Sequence, residues 1–138
     1  MSNGLIDKSL LYLEAANDLK KHCHYDAVCH PAYYSCLQLM MVKAMKRLNK
    51  TKSQLDSLMS VQGGKSHKFI IDTIKAQLKY QYSHSQIDFS DYRSFNSAID
   101  DLKVQRQLAD YTENRITPEV ADKCITEATL ARQIINKL

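Results

Sequence analysis

The sequence predicts an all-α fold: an up-and-down helical bundle of four main helices plus a shorter fifth element, in one domain spanning residues 1–138. Three observations predict it. Only three Gly and two Pro in 138 residues leave few turn positions, so the elements between turns must be long. Apolar residues recur at three- and four-residue steps through most of the chain, the period of a helix face. No alternating run ends in a tight-turn pair, and no internal repeat or linker divides the chain.

The first helix is expected from about Gly4 to His22, with Leu5, Tyr12, Ala16 and Leu19 on its inner row and Asp7 as an acid suited to its N-terminus. Tyr25 to Asn49 carries the strongest core signal. Cys29, Tyr33, Cys36 or Leu37, Met40, Ala44 and Leu48 stack on one face, which makes this the central helix. Pro31 sits in its first turn or kinks it, because the ring has no backbone donor. Residues 49–66 are rich in Lys, Ser, Gln and Gly and read as a loop, with room for one short turn of helix over Ser53–Met59. Ser66 reads as the N-cap of a third helix carrying Phe69, Ile70, Ile74 and Leu78 and ending near Tyr82. The fourth runs from Phe89 or Ser90 to Tyr111 or Thr112. The last starts at Thr117 or Pro118 and carries a seam of Val120, Cys124, Ala128, Ala131, Ile135 and Leu138.

With 44% hydrophobic and 25% charged residues the chain can bury a core, roughly two-thirds of the surface its unfolded form exposes. No apolar run approaches the length of a membrane span, and the first residues lack a basic region with an apolar signal core. A soluble, cytoplasmic protein is expected. Cys29 and Cys36, seven apart on one helix face, cannot bond to each other, so the cysteines read as reduced, buried thiols. Charge is uneven. Residues 43–79 hold nine Lys or Arg against Asp56 and Asp72, a net +7, which leaves −3 for the remainder of a chain totalling +4. Lys43, Lys46, Arg47, Lys65 and Lys68 are the candidate nucleic-acid contacts on this stretch, although lysines on a solvated helix face have the same signature.

The candidate site begins with Arg106. It falls on the apolar row of its own helix, with Phe95, Ile99, Leu102 and Ala109, where a buried guanidinium needs an anion. Asp110, four residues on, is within reach. The pair fits an internal ion pair, or a fork of donors open to phosphate. Tyr33 and Tyr34 point about 100° apart on their helix, so one is expected in the core and the other on a polar partner such as Arg106. His22, Cys23, His24, Asp26, Cys29 and His30 hold no paired metal-ligand spacing, and no metal or cofactor is expected. His67 suits a helix cap, a partner for an acid, or an acid–base group for the Arg106 site.

Three motifs in order, His30-Pro31-Ala32-Tyr33-Tyr34-Ser35, Ser66-His67-Lys68 and Arg106-x-x-Ala109-Asp110-Tyr111 with its following Thr-Pro-Glu helix start, resemble those of the HEPN domains. That resemblance covers about residues 10–138 and implies a small helical bundle that pairs into dimers. The Tyr and Met residues of the second helix would suit such a face. It implies binding of RNA or a nucleotide, or partnership with a nucleotidyltransferase in a toxin–antitoxin type system. Ligand contacts would come from Arg106, Asp110, Tyr111, Tyr33 and Tyr34. Many members are metal-independent ribonucleases whose signature is an Arg followed four to six residues later by His. Here those positions hold Tyr111, Thr112 and Glu113, and no other arginine has a His at that spacing. The expectation is therefore a module without the standard ribonuclease activity. The alternatives are an active ribonuclease using Arg106 with Asp110 or His67 as an unusual acid–base group, and a purely structural dimerisation domain.

Overall fold

A computed structural model describes residues 3–138. Six helices follow in order: α1 (Asn3–Lys21), α2 (Cys29–Leu48), α3 (Lys52–Ser60), α4 (Ser66–Ser83), α5 (Phe89–Tyr111) and α6 (Pro118–Ile135). Single 3-10 turns at Tyr25–Ala27 and Gly63–Lys65 lead into α2 and α4, and no strand occurs among the described residues. The all-α class is as the sequence predicts, with a different division of lengths. The closing helix α6 has 18 residues, as many as α4, and the short element is the nine-residue α3.

Helix α2 is the axis of the fold. Twelve of its twenty residues are buried, which only a helix enclosed on most sides can achieve. It packs against α1, α4, α5 and α6, and these four form an arc around it in the spatial order α1, α6, α5, α4. The core is continuous across all of them, from Ala16 of α1 through Tyr33, Met40, Ile74, Phe95 and Leu102 to Ala128 and Ile135. Where α1 crosses α2 two small hydroxyls allow close approach: Ser9 Oγ donates to the Ser35 carbonyl at 2.6 Å, and both residues are fully buried. Because α2 is enclosed, Met40, Met41 and Met45 lie in the core. Of the Tyr and Met residues expected to offer a pairing face, Tyr33 and the three Met are therefore inside the core, and only Tyr34 is half-buried.

Local chemistry sets the boundaries. Pro31 lies in the first turn of α2, where its missing N–H costs nothing, and α2 stops at Asn49, which takes the left-handed conformation (φ 54°) that Asn tolerates after a helix. Thr51 and Gln54 form a reciprocal capping box that starts α3, and Leu55 anchors that short helix in the core. At α6, Thr117 Oγ1 accepts from Val120 N–H at 3.1 Å and Pro118 follows in the first turn. Two expected roles at helix N-termini fail. Helix α1 starts at Asn3, which leaves Asp7 beyond its first turn. Ser66 is the first residue of α4, after Lys65, and no side chain caps that helix.

Candidate functional site

The N-terminal half of α2, the start of α4 and the C-terminal half of α5 converge on Arg106. The apolar row of α5 carries it inward, since Leu102, Ile99 and Phe95 are fully buried about one, two and three turns before it. Arg106 itself is 5% exposed. Its guanidinium carbon lies 5.0 Å from the ring centre of Tyr33, 5.8 Å from Tyr34 and 5.5 Å from Tyr111, so three π-faces take the place of water around the charge. Nη1 donates to the Tyr111 hydroxyl at 3.2 Å. The Nε–H, also buried, has no hydrogen-bond partner.

Tyr33 and Tyr34 both face this cluster, which corrects the expectation that only one of them could. Their rings stand edge to face, 5.3 Å apart, and the long guanidinium spans the angle between them. Tyr33 is fully buried, and burial raises its phenol above the ordinary tyrosine range, so it stays neutral.

Asp110 does not close a tight pair with Arg106. Its Oδ2 is 3.7 Å from Nη1, an ion-pair distance too long for a hydrogen bond, and the same oxygen lies 2.8 Å from Nδ1 of His30. His30 bonds to the site across 80 residues of sequence, and the only trace of it in the chain is its place in the first motif. The segment after α5 is tied down by Asp26, which accepts from Ile116 N–H at 2.7 Å and from Arg115 Nε at 2.5 Å. The backbone bond first, then Arg115, holds the Asp26 carboxyl below the usual range.

His67, on the first turn of α4, neither caps that helix nor meets an acid. It faces the aromatic cluster, with Nδ1 3.2 Å from the Tyr33 hydroxyl and its ring 5.7 Å from both Tyr33 and Tyr34. Burial, then the nearby charges of Arg106 and Lys103, holds its pKa below the ordinary imidazole value, so His67 is neutral at pH 7. With Tyr33 accepting from Nδ1–H, Nε2 carries the free lone pair; with Tyr33 donating, Nε2 carries the proton.

These groups border a cleft of about 490 Å³ whose lining includes Tyr34, Lys65, His67, Lys68, Lys103, Arg106 and Tyr111 and no carboxylate. The N-terminus of α4, which no side chain caps, borders the same cleft at Ser66 and brings the positive end of the helix dipole to it. An anion with several acceptor oxygens meets donors here from three directions.

The expected nucleic-acid contacts divide. Lys65 and Lys68 border the Arg106 cleft, and Lys68 also pairs with Asp72 at 2.6 Å. Lys43 and Lys46 line another cleft, about 530 Å³, where the end of α2 meets α3, and Lys43 Nζ also donates to the Leu138 carbonyl. Arg47 lies over the Tyr80 ring at 5.2 Å. That second cleft has lysines but no unpartnered buried donor, so the built site is the one around Arg106. Lys103, one helical step before Arg106, belongs to it and was readable from that spacing.

Among the described residues no group of three or more His, Cys, Asp or Glu side chains is placed to hold a metal ion. His22 bonds its own helix at Asp18, Asp26 serves the loop after α5, and Cys29 Sγ lies 2.8 Å from Cys124 Sγ. All four cysteines are free thiols. Among the described residues no helix is long and apolar enough to cross a membrane. No family model, no curated protein and no solved structure matches the chain.

Proposed function

We propose that the chain is a HEPN-like helical module of the cytoplasm that binds the phosphate groups of RNA or of a nucleotide in the Arg106 cleft. The observation that carries this is the cationic lining of the cleft, where the guanidinium of Arg106 lies beside Lys65, Lys68, Lys103 and the N-terminus of α4 with no carboxylate among the lining residues. Tyr34 and the 75% exposed Tyr111 supply flat faces at the rim on which a base can stack.

The resemblance adds two partners to this reading, a nucleotidyltransferase in a toxin–antitoxin type pair and a second copy of the chain. A homodimer would draw little on α2, twelve of whose twenty residues are buried inside the fold. The test of binding is fluorescence anisotropy with a labelled single-stranded RNA oligonucleotide. Affinity that falls steeply with salt and is lost in Arg106→Met supports the reading, because displaced counterions are the signature of phosphate contacts. Absent or salt-independent binding rejects it.

A second reading, metal-independent RNA cleavage, is favoured by the contact that ties His67 to the aromatic cluster around the arginine: Tyr33 Oη to His67 Nδ1. A neutral imidazole can accept the ribose 2′-OH proton while Arg106 stabilises charge on the phosphate. Cleavage of labelled RNA in the presence of chelator, abolished in both His67→Ala and Arg106→Met, is the expected result for this activity. Equal background in parent and variants removes it.

A further inference from the structure

Cys29 and Cys124 are fully buried, belong to α2 and α6, and hold their sulfurs 2.8 Å apart. That is closer than two unbonded sulfurs ordinarily pack, and within 1 Å of a disulfide bond of about 2.05 Å. We propose that this pair is a redox modification site, in which a peroxide converts the two thiols into an internal disulfide joining the N-terminus of α2 to α6.

The two sulfurs are not equivalent. Cys29 is the first residue of α2, at the positive end of the helix dipole, which favours a thiolate. The hydrogen bond between the two sulfurs lowers the Cys29 pKa, against the opposing effect of burial, and together with burial raises that of Cys124. Cys29 is thus the attacking sulfur and Cys124 the resolving one. The Cys29 thiolate attacks a peroxide oxygen, an S–O bond forms as the O–O bond breaks, and the leaving oxygen takes a proton and departs as water. Cys124 then attacks the Cys29 sulfenic sulfur, the S–S bond forms, and the hydroxyl leaves as a second water with the Cys124 proton. Two thiols lose two electrons and one peroxide gains them.

Neither remaining cysteine competes for this position. Cys36 is buried with its sulfur 3.5 Å from the Ala128 carbonyl, and burial pushes its thiol up to about 12, where it is inert. Cys23 is exposed and would react by itself with oxidant in solution, so the test is run in Cys23→Ser. The reduced Cys23→Ser protein is treated with hydrogen peroxide, denatured, alkylated, digested and mapped by mass spectrometry. The expected result is a peptide containing Cys29 joined to one containing Cys124, a 2 Da loss in the intact mass, and Cys36 alone alkylated. A link across 95 residues also raises the melting midpoint by roughly 10 °C, reversed by dithiothreitol. Full alkylation of all three thiols, or sulfinic acid at Cys29 with Cys124 still free, overturns the proposal.

Discussion

The guanidinium carbon of Arg106 sits 5.0 Å from the ring centre of Tyr33, so a permanently charged group in the core rests on a neutral aromatic face, with its nearest carboxylate, Asp110, beyond hydrogen-bond reach. An arrangement kept for stability alone is replaceable by an apolar side chain of similar length. Buried charges often yield to well-packed hydrophobes without loss. Arg106→Met is expected to change unfolding free energy by less than about 1.5 kcal/mol, while Arg106→Ala, which also removes the packed stem, loses about 2–4 kcal/mol. Urea denaturation measures both. A loss beyond 3 kcal/mol in Arg106→Met makes the guanidinium a structural strut.

His67 reports on the same cleft through its titration. Its folded-state pKa is held below the ordinary 6.5 by burial and then by Arg106 and Lys103, so the folded protein prefers the neutral ring. The contribution to stability is present above about pH 6.5 and is lost as pH falls through the folded value. Proton NMR of the imidazole is expected to show a midpoint below 6.5, moving upward when inorganic phosphate is added, because a bound anion favours the charged ring. A midpoint indifferent to phosphate places the anion elsewhere.

Glu127 gives the opposite sign. Burial, then its hydrogen bond to Asp101, pushes its carboxyl up to about 8, while the bond lowers Asp101. The folded state therefore holds this proton more tightly than the unfolded chain, and stability declines as pH rises from about 4.5 to about 8. Glu127→Gln keeps a donor for Asp101 and cannot ionise. The variant should melt at the same temperature as the parent near pH 4 and higher than it at pH 8; equal midpoints at pH 8 would mean that the two carboxyls do not share a proton.

The features legible in the sequence are those set by neighbours along the chain. The Thr117-Pro118 start of α6 and the placement of Arg106 on a buried row follow from spacing alone. Burial of Phe95, Ile99 and Leu102 does too. What spacing cannot give is which side chains meet from different helices. His30 on Asp110, Cys29 on Cys124 and Tyr33 on His67 are separated by 80, 95 and 34 residues. Ser66 misleads because the Ser-x-x motif of a cap is only a local preference, and here the preceding 3-10 turn sets the start of α4 instead.

The lysines separate the basic stretch of sequence from the cleft. Tyr34 and Lys46 are twelve residues apart on α2, about 18 Å along its axis, so Lys43 and Lys46 lie too far from Arg106 to touch the same phosphate. Lys103 borders the cleft although it lies outside the basic run. Lys65→Ala and Lys103→Ala should each weaken binding of a single-stranded RNA oligonucleotide and flatten the log–log salt slope by about 0.7, the share of one phosphate contact. Lys43→Ala and Lys46→Ala should leave both quantities unchanged. Anisotropy titrations at four salt concentrations measure the slopes. If Lys43→Ala has the larger effect, RNA follows the charge of the sequence to the far end of α2, and the cleft around Arg106 is not where it binds.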